Sequence, residues 1–242
     1  MKNDLLIKYG DLVDYLNRRI SGPVARALAR TAVQPNAVTY VRSAMVVAAM
    51  YLFMRASIWS IFWAGMFIQA ADILDYVDGD LARLTGRSSR FGEWLEYVEN
   101  SLQGTFGSLL GFFLVYGLYA RTHDVSLWIV LFFLCFGVHM KKALILTPVK
   151  TDHWIFNLLQ KSSFQGFSEH MARSPLLTAA KSILWISTRE LNLVFAVSVL
   201  LPVTHRAFGF DTLHYALVTL AFAHNLTWLG IGYYQLRGIK DK

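Results

Sequence analysis

Long apolar stretches dominate the chain, and the polar residues between them gather at the ends of the stretches rather than alternating through them. A bilayer-crossing helix needs roughly 20 mostly apolar residues. Six segments meet that length, near residues 37–55, 57–82, 91–119, 125–147, 189–205 and 211–234. The pattern predicts an all-α polytopic membrane protein of six transmembrane helices, several running past the lipid so that their polar ends build a site at the surface. Two stretches follow another pattern. In residues 1–34, Tyr9, Val13, Leu16 and Ile20 fall on one helical stripe while Arg18, Arg19, Arg26 and Arg30 supply charge. This predicts an interfacial amphipathic helix, with packing on the protein's own cytoplasmic side as the alternative. Gly22-Pro23 is expected to break it, and Pro35-Asn36 to open the first span. Residues 148–188 interleave Lys150, Lys161, Arg173 and Lys181 with Trp154, Phe156 and Trp185, which reads as one or two short helices on the cytoplasmic leaflet. The organisation is therefore an interfacial segment, 1–34, followed by a single membrane domain, 35–242.

Composition agrees with this reading: of 242 residues, 55% are hydrophobic and 14% aromatic, with a mean hydropathy of +0.40. Acids and bases interrupt any apolar run near the start, so no signal peptide is read there. With a cytoplasmic N-terminus, only Arg55, Arg121 and Arg206 of the 23 Lys and Arg residues fall outside. The positive-inside rule then turns the end of the second span and the start of the third toward the cytoplasm. The net charge of +7 follows from those loops, and nucleic acid is not among the expected partners. The lone Cys135 reads as packing. His139 and His224 are expected to bond between helices. No zinc pattern, phosphate-binding glycine loop or nucleophile elbow occurs in the sequence.

One run changes the picture. Residues 72–100 read DILDYVDGDLARLTGRSSRFGEWLEYVEN, a cluster of acids within lipid-soluble sequence. Asp75 and Asp78 are three residues apart and project from one helix face, which Asp72 extends by a turn. After a break at Thr85-Gly86, Gly92, Glu96 and Asn100 recur every four residues and form a second stripe. Carboxylates this close to hydrocarbon either protonate or collect a cation. Hard oxygen donors suit Mg²⁺, Mn²⁺ or Ca²⁺, and a pair of such ions can clamp a pyrophosphate.

These residues resemble the motif of the CDP-alcohol phosphotransferases, D-x2-D-G-x2-A-R-x8-G-x3-D-x3-D. Asp75, Asp78, Gly79, Ala82, Arg83 and Gly92 match it in type and spacing. QPNAVTYVR resembles the opening of the family's first transmembrane helix. The match departs at Glu96, in the third acidic position, and at Asn100, in the position the family uses as general base. An amide takes no proton from an alcohol near neutral pH. Glu99 or Glu93 as substitute base, a weakly active relative, and an inactivating change at Asn100 are the three explanations.

The resemblance implies Mg²⁺ or Mn²⁺, as two ions, on Asp75, Asp78 and Glu96. It also implies nucleotide seating by Asp78, Gly79, Ala82, Arg83 and Gly92, and proton removal around Asn100, Glu96 and Glu99. The reaction implied moves a phosphatidyl group from CDP-diacylglycerol to a small polar alcohol, releasing CMP. RSSRFGE, similar to choline and ethanolamine phosphotransferases, keeps open transfer from a CDP-alcohol to a lipid alcohol. For an anionic acceptor, Lys141, Lys142 and Arg189 are candidates, with interfacial anchoring as their ordinary reading. A homodimer in a bacterial inner membrane, with its site facing the cytoplasm, completes the expectation. An ion-coupled transporter is the competing class for the acidic cluster, although it has no need of Gly79, Ala82, Arg83 and Gly92 at these intervals.

Overall fold

The computed structural model describes residues 12–87, 90–102, 108–146, 190–208 and 211–240. Among them the regular structure is all helical: α1 (Leu12–Leu28), α2 (Pro35–Arg55), α3 (Ile58–Thr85), α4 (Arg90–Leu102), α5 (Leu109–Thr122), α6 (Ser126–Leu146), α7 (Glu190–Phe208) and α8 (Asp211–Lys240).

α3 organises the packing, with α1, α2 and α7 all laid against it, while α6 pairs mainly with α8 and α5 rests on α2. The α2–α3 hairpin is defined by its turn. Pro35 occupies the first turn of α2, where a missing N–H is harmless. Ala56 ends α2 in the left-handed region at φ 45°, its N–H bonded to the Phe53 carbonyl at 3.0 Å. Ser57 then caps α3 reciprocally with Ser60: the Ser60 N–H donates to Ser57 Oγ at 3.1 Å and the Ser57 N–H to Ser60 Oγ at 2.8 Å. α3 stops at Gly86, which takes φ 64° at low steric cost. The break expected at Thr85-Gly86 is therefore where the helix ends.

Two apolar clusters hold the bundle. The larger gathers Phe53, Ile61, Leu114, Leu134, Leu201 and Leu217 from α2, α3, α5, α6, α7 and α8. The smaller, Ala25, Val38, Val77 and Leu81, lies where α1, α2 and the C-terminal half of α3 meet. α5 passes so close to the end of α2 that a Cβ on Gly117 would sit 2.1 Å from the Phe53 carbonyl oxygen, which only glycine tolerates. Between α6 and α8, Asn225 Nδ2 donates to the Phe133 and Ala221 carbonyls, both at 2.8 Å, and Trp228 Nε1 donates to Asn225 Oδ1 at 2.9 Å.

Several expectations shift. α1 does not break at Gly22-Pro23 but runs through Pro23. An interior proline costs about 3 kcal/mol of helix stability, offset here by the face of α1 (Asn17, Ser21 and Ala25) buried against the bundle. The span expected at 91–119 is described as α4 and α5, on either side of residues 103–107, which lie outside the described residues. His139 Nδ1 lies 2.7 Å from the Cys135 carbonyl one turn back in its own helix, so this contact is made within α6 and not between helices. His224 is fully buried. The short helices expected at 148–188 fall outside the described residues. Among the described residues, two helices are long and apolar enough to cross a membrane by length and composition, Pro35–Arg55 and Ser126–Leu144.

Candidate functional site

The acid ladder stands on the last four turns of α3, and each rung is held from another helix. Asp72 accepts a hydrogen bond from Asn17 Nδ2 of α1 at 2.8 Å. Asp75 forms an ion pair with Arg42 of α2. Asp78 accepts from Thr39 Oγ1 of α2 at 3.0 Å, and Arg42 Nη1 lies 4.0 Å from the same Asp78 oxygen. Thr39 and Arg42 are three residues apart, one turn of α2, so they climb their helix in step with Asp78 and Asp75 on the other.

Burial is uneven across the ladder. Arg42 is 6% exposed, whereas the Asp75 side chain keeps 42% of its surface and that of Asp78 18%. The guanidinium therefore meets the carboxylates from the protein side, and the acids open outward. Arginine stays charged at any accessible pH, so the buried guanidinium of Arg42 needs the carboxylates beside it as counter-charges.

A neutral chain of amides leads away from the ladder into the bundle. Asn192 Nδ2 of α7 donates to Gln69 Oε1 at 3.2 Å, and Gln69 Nε2 donates to Asn17 Oδ1 at 3.1 Å. Asn17 then donates to Asp72, so three helices are stitched together by one directional series ending on a carboxylate. Asn17 is buried, and each of these amides gains a partner that its desolvation requires.

The phosphate-binding role expected for Arg83 meets a competing contact. Arg83 Nη2 lies 2.5 Å from Asp80 Oδ1, and Arg18 of α1 reaches the same oxygen at 3.4 Å with its guanidinium 5.2 Å from the centre of the Tyr76 ring. Arg83 remains exposed, so this pair is solvent-screened and open to exchange. Gly79 is flanked by the Arg83 guanidinium, 3.5 Å from where a Cβ would lie, and Gly79 and Ala82 are half-buried. Gly92 and the backbone of Glu96, Glu99 and Asn100 lie on α4, which touches α2. The side chains of Glu93, Glu96, Glu99 and Asn100 fall outside the described residues, as does Arg189.

The donor set is compatible with a divalent ion in its chemistry: Asp75 and Asp78 offer hard carboxylate oxygens on one face, outward of their protein-side partners. Among the described residues no three acidic, histidine or cysteine side chains gather into a metal-binding group. Two of the three ligands expected from the sequence are described, and Glu96 is the one whose side chain is not.

Sequence reasoning passed over Arg42, Thr39, Asn17, Gln69, Asn192 and the Arg18–Asp80 pair. One signal was available for Arg42, an arginine two turns into a mostly apolar 21-residue helix, where a charge requires a partner.

Comparison with known proteins shows the family. The family model described as CDP-alcohol phosphatidyltransferase matches residues 32–202, which takes in α2, α3 and the whole acid ladder. Phosphatidylinositol phosphate synthase of Mycobacteroides abscessus is 38% identical over 79 residues, covering 32% of this chain and 34% of that protein. The similarity thus spans about a third of the relative's length.

Proposed function

This chain belongs to the CDP-alcohol phosphatidyltransferase family, and from that premise we propose that it moves a phosphatidyl group from CDP-diacylglycerol to a small polar alcohol, releasing CMP. The observation that carries the reading is the ladder of Asp72, Asp75 and Asp78 on one face of α3, with Asp75 and Asp78 opening outward from buried partners on α2.

Asp75, Asp78 and Glu96 would hold Mg²⁺ or Mn²⁺, as two ions. Bound there, the metal neutralises charge on the pyrophosphate bridge. Thr39 and Arg42 fix the carboxylates before substrate arrives, so little reorganisation is left for the reaction. The half-buried Gly79 and Ala82, together with Gly92, let the nucleotide approach the helix backbone. Arg83, released from Asp80, binds a phosphate oxygen. The alcohol oxygen bonds to the phosphatidyl phosphorus, the bond from that phosphorus to the bridging oxygen breaks, and CMP leaves with the bridging oxygen. The hydroxyl proton passes to a carboxylate of α4, Glu99 or Glu93, because Asn100 has no basic oxygen to receive it.

The setting is an integral, multi-pass membrane protein of six spans with the ladder on the cytoplasmic side, as in a bacterial inner membrane. Exposed Val47, Tyr51, Trp63, Phe132, Val203 and Phe222 give the outer faces of the bundle a lipid-soluble surface. α1 lies at the interface with Leu16, Ile20 and Val24 turned outward in one stripe. The working unit is a homodimer. The relative named for phosphatidylinositol phosphate synthesis favours a phosphorylated, anionic acceptor, for which Lys141 and Lys142 near the end of α6 supply charge, with Arg189 as a further candidate from the sequence.

The test is CMP release by purified protein from labelled CDP-diacylglycerol, with Mg²⁺ or Mn²⁺ and a panel of alcohols, beside the Asn100→Asp variant. Metal-dependent release with one acceptor supports the proposal. Release only in Asn100→Asp marks the natural chain as inactive, equal release from both removes position 100 from proton transfer, and release only from a CDP-alcohol with a lipid alcohol reverses the direction of group transfer.

A further inference from the structure

Arg42 is placed unlike the other arginines near the ladder. Arg18 and Arg83 sit at its edge, partly or largely exposed, and share Asp80. Arg42 is buried beneath Asp75 and Asp78, pairing with one and 4.0 Å from the other. A guanidinium in that position cannot leave to solvent without crossing its own helix packing, and it cannot neutralise itself by losing a proton.

We propose that Arg42 is a resident counter-cation for the acid ladder. It balances Asp75 and Asp78 while no metal is bound, and it lowers the affinity of those carboxylates for a divalent ion, so that the ion remains exchangeable. The inference rests on the metal reading given above but assigns a separate role, because a guanidinium offers a cation no ligand atom.

The physical argument is one of charge. Two carboxylates held three residues apart on a helix face repel each other, and a ladder left bare between turnovers would favour protonation or opening of the α2–α3 contact. A fixed positive charge removes that penalty. The same charge repels an approaching dication and draws on the same carboxylate electron density, so the price of a stable empty ladder is weaker metal binding. Thr39 adds a hydrogen bond to Asp78 with no net charge, orienting the carboxylate without competing for it.

The experiment uses the full chain in detergent or nanodiscs and measures Mn²⁺ binding by the electron paramagnetic resonance signal of free Mn²⁺, without substrate. Wild type, Arg42→Gln, Arg42→Lys and Asp75→Asn are compared. Arg42→Gln is expected to bind Mn²⁺ about tenfold more tightly than wild type, a difference of about 1.4 kcal/mol. Its melting temperature falls without metal and recovers more than that of wild type when Mn²⁺ is added. Arg42→Lys keeps the charge but not the planar fork and is expected within about threefold of wild-type affinity. That variant decides the question if Arg42→Gln cannot be purified, since a role in shape alone would weaken its Mn²⁺ binding tenfold or more. Binding that Asp75→Asn abolishes, but that Arg42→Gln leaves unchanged or weakens, overturns the counter-cation while leaving the metal site standing. Binding indifferent to Asp75→Asn overturns both.

Discussion

The two halves of α3 share one helix and obey different physics. From Ser60 to Ala71 the buried positions are Ser60, Ile61, Ala64, Gly65, Ile68 and Ala71, small or aliphatic, and Ile61, Ala64 and Ile68 join the large cluster with residues of α2, α5 and α7. From Asp72 onward the helix carries four acids in nine residues, and its partners are Asn17, Thr39, Arg42, Arg18 and Arg83. The first half is stabilised by close packing, in which a single added carbon is felt. The second is stabilised by matching each charge or amide to a partner, in which volume matters less than the sign and reach of a side chain. Between the halves, Gln69 links Asn192 to Asn17, so one hydrogen-bonded series ties the packed end to the charged end. The packed half thus places the acid ladder within the bundle.

The largest expected effect breaks the comparison at the charged end. Asp78→Asn keeps the shape and removes a charge, and should lower CMP release by about a thousandfold while costing only about 1–2 kcal/mol of stability through the weakened contacts with Thr39 and Arg42. Equal loss of stability and activity would mean that the two halves are not separable. At the packed end, a Cβ on Gly65 would lie 2.6 Å from Ser198 Cβ of α7. Gly65→Val should therefore destabilise the protein by about 1–3 kcal/mol in thermal or denaturant melts, with the activity of the surviving folded fraction preserved.

The link between the halves predicts a smaller change. Asn17→Leu keeps a similar volume but leaves Asp72 and Gln69 without that partner, at a cost of about 1–3 kcal/mol. Hydrogen exchange should accelerate in α1 before it does in α2 or α6. Exchange that accelerates uniformly would show that the amide series does not hold α1 in particular.

The smallest effect lies at the opposite end of the bundle. Asp124, between α5 and α6, receives hydrogen bonds from the Ser126 side chain and then from its backbone N–H, and these hold its carboxyl below the usual carboxylate range, with His214 adding to the effect. A lowered pKa gives stability that is complete above the unfolded value of about 3.9 and is lost as the pH falls through the folded value. Melting curves of wild type and Asp124→Asn should differ slightly near pH 6 and converge in acid.

How much of this was legible in the sequence follows from the range of each interaction. The acid ladder, the stop at Gly86 and the start of α2 at Pro35 are local, set by spacing along one helix or by one residue's backbone preference, and periodicity reveals them. Arg42 and Asp75 are 33 positions apart, and Asn17 is 55 from Asp72. No pattern within a helix states which residue on another will face it. The passage of α1 through Pro23 was hidden for the same reason, because the burial that offsets the lost hydrogen bond comes from α3. For Glu96, Glu99 and Asn100 the sequence supplied identity and spacing on α4, and the facing of α4 toward the ladder rests on the family's motif.

The central claim is that a divalent ion gripped by Asp75 and Asp78 touches the diphosphate of a CDP-linked lipid. Mn²⁺-induced broadening of the phosphorus NMR signals of CDP-diacylglycerol bound to the purified protein measures that contact directly. The account predicts strong broadening of both diphosphate resonances with wild type and its loss with Asp75→Asn or Asp78→Asn. Broadening of equal size in wild type and both variants would place the ion elsewhere and contradict the account.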